Sequence, residues 1–377
     1  MTSHRSVVGE LVQSAERGDS VVLATVVRVT GSSYGGVGAR MLVRVDGSTV
    51  GLVSGGCIES DIAEHARRVH GTGRAEVVSY DTRDDDDAPW GLGLGCNGLI
   101  EVLLEPLPAA EAKSLGRLLG DALAGHRPSV LASVIASGEG TEYPAIGAHA
   151  WIGNGTVPTT GNWGDGAVLA DIPSALDEAL AAGRRGLVRE YDGVQIAFEV
   201  VTPTLRLVIC GSGPDALPIA NFAAQLGWDV IVVDHRPIDP NRGSRFPGAR
   251  VVECFNPPGL ADVVPLNAST AAVVVSHHFA RDLDYVQALL TAGAAYIGVL
   301  GPRARTQRML ADLASRGVPP VDPDGSLFGP VGLDTGGDGP EAIALAIVAE
   351  VAAVVNGKSG GHLRSRRGPM HSASGTS

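Results

Sequence analysis

Residues 205–234 read LRLVICGSGPDALPIANFAAQLGWDVIVVD, and this stretch decides the fold of the part of the chain that contains it. A short apolar run leads into Gly-x-Gly-x-x-Ala, a helix-forming segment follows, and a second apolar run ends on an acid. That order of strand, turn, helix and strand is the dinucleotide-binding βαβ pattern. Gly211 permits the tight turn, Gly213 lets the backbone approach a phosphate, and the small Ala216 allows close packing of helix on strand. N–H groups at the start of the helix, with its dipole behind them, favour an anion. Ile219, Phe222, Ala223 and Leu226 form a buried stripe, and Pro218 is tolerated only in a first turn, which sets the helix start near Pro214 or Asp215. Asp234 stands where a carboxylate accepts a ribose hydroxyl. Pro214 removes one donor from the turn and Asp215 adds a negative charge, so two readings stay open: a bound dinucleotide, or a Rossmann scaffold whose nucleotide site is altered or lost.

Working outward, apolar strands are expected at 207–210, 230–233, 250–252, 272–276 and 295–299, separated by helical segments or Gly/Pro turns, the rhythm of a parallel sheet. The carboxyl ends of such strands line the ligand crevice. Ser276-His277-His278 follows the fourth strand and Gly301-Pro302-Arg303-x-Arg305 the fifth, so His277, His278, Arg303 and Arg305 are candidate ligand contacts, the arginines for phosphate. A last helix begins after Pro340 and runs to Gly357. Before 205 the pattern is helix (5–17), strands (20–30, 38–45 and 48–53, with an Asp46-Gly47 hairpin turn), helix (57–70) and strands near 75–79 and 99–104. A helix at 110–124, a β-branched run at 129–136 and a strand–helix–strand pattern over 167–201 follow, and no internal repeat of fixed period is visible. The fold class is therefore α/β: an N-terminal mixed α/β domain (1–203, with Pro203 as a hinge), a C-terminal Rossmann-like doubly wound parallel sheet (204–357), and a Ser/Gly/Arg-rich disordered tail (358–377).

At 377 residues the chain is long for one domain, and 44% hydrophobic with 19% charged residues is the balance of an ordinary soluble globular protein. A net charge of −12 argues against nucleic-acid or anionic-membrane partners, although a small anionic ligand needs only local donors. No apolar run approaches the length of a membrane helix and no signal-peptide stretch opens the chain, so a cytoplasmic location is expected.

The four cysteines, at 57, 96, 210 and 254, form no Cys-x-x-Cys pair, which excludes a disulfide framework and a structural zinc site. Ser54-Gly55-Gly56-Cys57 places a thiol at the start of a helix, where the dipole favours thiolate, a nucleophile or soft-metal ligand. Gly91-Leu92-Gly93-Leu94-Gly95-Cys96-Asn97-Gly98 holds a second cysteine among four glycines, a density that suits N–H groups turned to an anion. Either thiol alone reads as a small buried residue; two in Gly-rich turns point to a shared site. Cys210 and Cys254 read as structural, and the acidic run 84–87 as a solvated loop.

ATVVRVTGSSYGGVGARMLVRVDGSTVGLVSGGCIES (24–60) and WGLGLGCNGLIEVLLEPL (90–107) resemble the N-terminal domain of the XdhC/CoxI family, the xanthine dehydrogenase accessory proteins. VVVSHHFARDLDYVQALL, YIGVLGPRARTQRML and GPVGLDTGGDGPEAIALAI resemble that family's Rossmann domain. The resemblance implies a maturation factor that binds molybdenum cofactor (molybdopterin), protects it while its sulfido ligand is installed, and inserts it into an apo molybdenum hydroxylase of xanthine or CO dehydrogenase type. It implies a cysteine desulfurase as second partner, and a homodimer is expected. Cys57 and Cys96, cradled by Gly55, Gly56 and Gly95, match the family's cysteine positions and become candidate molybdenum ligands. Many members carry His where this chain has Pro214, and His where it has Phe328. An NAD(P)-dependent oxidoreductase is the alternative, favoured by Gly211, Gly213 and Asp234. No Tyr has Lys four residues later, so the short-chain dehydrogenase dyad is missing, and His277 or His278 would have to supply the proton. A scaffold acting only through protein contacts is the third reading.

Overall fold

The computed structural model describes residues 4–31, 34–81, 98–138, 144–152, 159–160, 167–181, 185–191, 193–237, 243–267, 269–320 and 325–365. They form two compact units, one ending at Pro203 and one beginning at Thr204. Among the described residues no helix is long and apolar enough to cross a membrane.

In the second unit the chain runs β11 (Arg206–Cys210), α5 (Ala216–Gln225), β12 (Asp229–Asp234), β13 (Ala249–Glu253), α6 (Leu260–Val263), β14 (Thr270–Val274), α7 (Phe279–Thr291), β15 (Tyr296–Val299), α8 (Arg303–Ser315), β16 (Leu327–Phe328) and α9 (Pro340–Val355). The sheet order is β13-β12-β11-β14-β15-β16 and every pairing is parallel, the 3-2-1-4-5-6 arrangement of a Rossmann fold. Alternation along each strand explains the two helical layers. Leu207, Ile209, Ala271 and Val273 pack against α5 and α9 through Ile219, Ala223, Ile347 and Val351. Val208, Cys210, Ala272 and Val274 face α7 and α8 through Leu283, Val286, Met309 and Leu313. Pro218 is the third residue of α5, inside the first turn. The short strand β16 was not expected from the sequence; the Phe328 ring stacks on Tyr296 with centroids 4.6 Å apart. Residues 358–365 carry a short 3-10 turn, Leu363–Ser365, and Gly360 lies against Leu333.

The first unit runs α1 (His4–Arg17), β1 (Val21–Gly31), β2 (Arg40–Arg44), β3 (Thr49–Gly51), α2 (Glu59–Thr72), β4 (Glu76–Asp81) and β5 (Gly98–Leu107), then α3 (Ala109–Ala124), β6 (Ser129–Ala136), β7 (His149–Ile152), β8 (Thr159–Thr160), α4 (Ala167–Ala181), β9 (Gly186–Tyr191) and β10 (Val194–Val201). The strand–helix–strand pattern expected over 167–201 is corrected to a helix followed by a hairpin. Ala175 and Ala179, four residues apart and both fully buried, mark a helical rather than an alternating period.

This order contains an internal duplication. Each half is helix, three strands, helix, two strands, and the two antiparallel sheets have the same topology, β3-β2-β1-β5-β4 and β8-β7-β6-β10-β9. The registers superimpose residue by residue. Thr25 faces Arg40 and Leu103 as Ser133 faces His149 and Ala197, and both central strands skip one residue at matching positions, Val27 and Ile135. Gly38 donates to the Val26 carbonyl as Gly147 does to that of Val134, and both glycines have φ of +85°. The sequence shows no internal repeat of fixed period, and the structure shows that a duplication is nonetheless present. Loops of unequal length destroy any fixed period, and only short echoes such as Gly38-Ala39-Arg40 against Gly147-Ala148-His149 survive in the sequence.

Two buried polar pairs join the sheets, and the duplication makes them reciprocal. Arg40 of the first copy binds Glu199 of the second at 2.9 and 2.5 Å. At the equivalent positions His149 of the second copy meets Glu105 of the first at 2.5 Å, with Ser133 Oγ 2.9 Å from the other ring nitrogen. All four side chains are buried. Removing one member of such a pair strands its partner in a low-dielectric interior. Arg40→Ala and Glu199→Ala are each expected to lower stability by about 3–5 kcal/mol, and the double change Arg40→Met with Glu199→Leu by far less. Thermal melts of the three variants check this, and losses that simply add in the double variant would contradict it.

Candidate functional site

The glycine-rich turn lies at the carboxyl edge of the parallel sheet, between β11 and α5. Gly211 has φ of +132°, and a Cβ there would stand 2.6 Å from the Val275 carbonyl oxygen, so only glycine fits where the turn crosses the end of β14. Gly213 is open enough that a Cβ would meet only the His277 ring at 3.7 Å. His277, a non-glycine residue at φ +59°, reaches across with Nε2 to Asp215 Oδ2 at 2.9 Å and ties the turn to the end of β14. The two residues that sequence reading placed apart, one as a ligand contact and one as an unfavourable charge, are thus partners.

Asp234 lies nearby at 1% exposure. Oδ1 accepts from the Arg236 N–H at 2.8 Å and from Arg236 Nε at 3.0 Å; Oδ2 accepts from Arg236 Nη2 at 2.8 Å and from the Ser212 hydroxyl. Burial works against its charge, but the bonds from Arg236 and Ser212 outweigh it and hold the carboxyl well below the ordinary range. The acid expected to receive a ribose hydroxyl is therefore occupied by the chain itself, and it fastens the glycine turn to the end of β12.

Arg305 is also engaged inward. It donates to buried Asp282 at 2.7 Å and to the Leu300 carbonyl at 3.1 Å, while Asp282 accepts from the Ser276 hydroxyl at 2.5 Å. His278, just before α7, and Arg303, at the start of α8, stay exposed. Burial raises the thiols of Cys210 and Cys254, in keeping with their structural reading.

In the first unit Cys57 is exposed, in the turn between β3 and α2. The buried Ser54 hydroxyl accepts from the Cys57 and Ile58 N–H groups at 3.2 and 3.4 Å and donates to Glu59 at 2.6 Å. Glu59 in turn accepts from the Ser54 N–H at 2.7 Å. Half-burial of Glu59 opposes its charge, but those hydrogen bonds hold its carboxyl below the usual value. The turn is braced from below: a Cβ on Gly35 would collide with the Val53 carbonyl, and the exposed Tyr34 ring lies over Gly55. Gly56, at φ +106°, lets the chain turn so that Gly55, Gly56 and Cys57 all face solvent. Cys96 and Gly95 lie outside the described residues. Among the described residues no three His, Cys, Asp or Glu side chains converge as a metal-binding group.

Residues 207–351 match the XdhC Rossmann domain, and residues 14–81 match the XdhC and CoxI family. A Bacillus subtilis (strain 168) protein named as a probable xanthine dehydrogenase subunit is 33% identical over 334 residues, which is 88% of this chain and 92% of that one. The chain belongs to the XdhC and CoxI family. Another relative, the Escherichia coli (strain K12) molybdenum cofactor insertion chaperone PaoD, is 25% identical over 354 residues, 93% of this chain and 88% of that protein. A solved Bacillus halodurans structure, described as a xanthine dehydrogenase, superimposes with a TM-score of 0.73 at 31% identity, covering 96% of this chain and 99% of that one.

Sequence reading missed Arg236 and Ser212 in this family member's Rossmann edge. A guanidinium two residues past a strand-ending acid is a signal that was present in Asp234-His235-Arg236. A depressed carboxyl contributes stability above its unfolded pKa of about 3.9, and that contribution is lost as pH falls through the lower folded value. Native protein is therefore expected to lose stability on acidification below about pH 4, and Asp234→Asn to lose less over the same interval. Thermal melts between neutral pH and pH 2 measure the difference; parallel curves would show that Asp234 is not the group responsible.

Proposed function

We propose that this protein is a molybdenum-cofactor carrier that holds the pterin cofactor and inserts it into an apo molybdenum hydroxylase of the xanthine or CO dehydrogenase type. The observation that carries the reading is the near full-length relationship to a protein named as a molybdenum cofactor insertion chaperone, combined with a solvent-facing Cys57 in a rigid turn. A soft thiolate suits molybdenum as cargo, and glycines leave room for a bulky ligand to approach the backbone. Cys96 is the second proposed ligand. Gly211, Gly213, His277, His278 and Arg303 are the proposed contacts in the Rossmann unit, with Asp234 and Arg305 holding their framework. A cysteine desulfurase as sulfur donor, a homodimer and a cytoplasmic setting belong to the same proposal.

The Rossmann strand order keeps the NAD(P)-dependent oxidoreductase as the second reading. The closed hydrogen-bonding of Asp234 speaks against recognition of an NAD-type diol there.

Purified protein titrated with molybdenum cofactor is expected to bind it, and Cys57→Ala or Cys96→Ala to weaken binding by at least about tenfold, a change of about 1.4 kcal/mol. Transfer to an apo hydroxylase, read as recovered hydroxylase activity, should fall in parallel. Cofactor binding unchanged in both variants would refute the cysteine assignment, and hydride transfer from NAD(P)H to a small carbonyl compound would replace the carrier reading with the second one.

A further inference from the structure

Four basic side chains follow the carboxyl ends of β12 and β14, on both flanks of the glycine turn, and two of them, Arg236 and His235, meet the buried Asp234. Arg236 and His235 follow β12, and His278 and Arg281 stand at the start of α7. The sheet order β12-β11-β14 sets these two segments on either side of the glycine turn that follows β11, and burial, with the positive charges of Arg281, Arg236 and His278, disfavours the His235 imidazolium. Asp234 faces the same ring at 3.3 Å. Arg236 spends Nε and Nη2 on Asp234 and Ser212, and among the described residues its Nη1 makes no hydrogen bond. The guanidinium of Arg281 and the ring of His278 likewise have no hydrogen-bond or ion-pair partner among the described residues. On the same helix as Arg281, the Tyr285 hydroxyl, on a residue only 1% exposed, is buried without a hydrogen-bond partner among the described residues. Both Asp234 and Arg281 act on it electrostatically. A buried unpaired hydroxyl is costly unless a water or a ligand oxygen completes it.

We propose that Arg236, with Arg281, His278 and His235, forms a subsite for a phosphate monoester, and that the Rossmann unit takes its ligand by that group rather than by a free ribose diol. The proposal rests on the reading of this edge as a ligand site and names the chemistry it recognises. The carboxylate that would bind two ribose hydroxyls is closed off, and what faces outward in its place is a guanidinium fixed in orientation by its own salt bridge. A planar fork with donors left over is the geometry that phosphate oxygens match. A monoester carries close to two negative charges at neutral pH. Asp234 cancels one of the two arginine charges and leaves the other to meet that dianion, with the histidine rings as hydrogen-bonding neighbours. In a chain of net charge −12 such a cluster is the local exception that draws an anion to one place. Two sources carry this group: a nucleotide phosphorylated on its ribose, and a heterocycle whose side chain ends in phosphate, as a pterin cofactor's does.

Isothermal titration of the full chain with two matched pairs separates them. Adenosine 2′,5′-bisphosphate against 5′-AMP tests phosphate on the ribose, and flavin mononucleotide against riboflavin tests phosphate at the end of a side chain. In at least one pair the more phosphorylated member is expected to bind at least about tenfold more tightly, the scale of one charge-assisted contact. Arg236→Ala and Arg281→Ala should each erase most of that ratio, and Arg236→Lys should restore part of it. Arg281→Ala removes no hydrogen bond of the described chain, so it keeps the test decisive if Arg236→Ala fails to fold. Equal affinities in both pairs, no binding of any of the four compounds, or a ratio unchanged in Arg281→Ala would overturn the subsite. None of these readouts involves Cys57 or a client hydroxylase, so the subsite and the carrier reading can fail separately.

Discussion

A carboxylate sealed from solvent at the end of β12 has to be satisfied by the chain around it, and the edge of the parallel sheet is organised by how Asp234 achieves this. Its partners come from the two segments that a Rossmann ligand would touch, Ser212 in the glycine turn and Arg236 past the strand. An isolated buried charge is prohibitively costly, so these bonds are conditions for folding as much as features of a site. With Gly211 pressed against the Val275 carbonyl and His277 paired to Asp215, the turn is held from three sides. A turn fixed in this way presents its groups to a ligand without having to be ordered at the moment of binding.

The first unit solves a different problem, the joining of two antiparallel sheets that are copies of one another. Each copy contributes a buried carboxylate to a base on the other, Glu105 to His149 and Glu199 to Arg40. Such pairs need not add stability over well-packed apolar residues, but they penalise a shifted register, because a slip of one residue would leave four buried polar side chains unpaired. The matching one-residue irregularities at Val27 and Ile135 lie beside them and belong to the same duplicated design.

Much of this was legible in the sequence. The Rossmann unit could be read because glycine, proline and strand alternation act locally: Gly211 to Ala216 specify a turn, Pro218 and Pro340 mark first helical turns, and apolar runs mark strands. The family could be read from long motifs in both halves of the chain. The duplication could not, since equivalence of Arg40 with His149 is a relation between hydrogen-bond registers, and side-chain identity has drifted while register has not. The candidate site was read incompletely for a related reason. Asp234 looked like an open acceptor because a sequence does not show that Ser212 and Arg236 reach it first, and Arg305 looked like a phosphate contact because Asp282, more than twenty residues away, is not visible as its partner. Long-range pairing of polar groups is where local pattern loses its force.

A duplicated unit also permits division of labour. Of the four cysteines in the chain, Cys57 and Cys96 fall in the first copy and none falls in the second. Both copies carry the same strands and the same reciprocal polar pairs, so the second supplies bracing that the first alone would lack. The thiols thus belong to one half only, and the other half acts on that half through the buried pairs that tie the two sheets together.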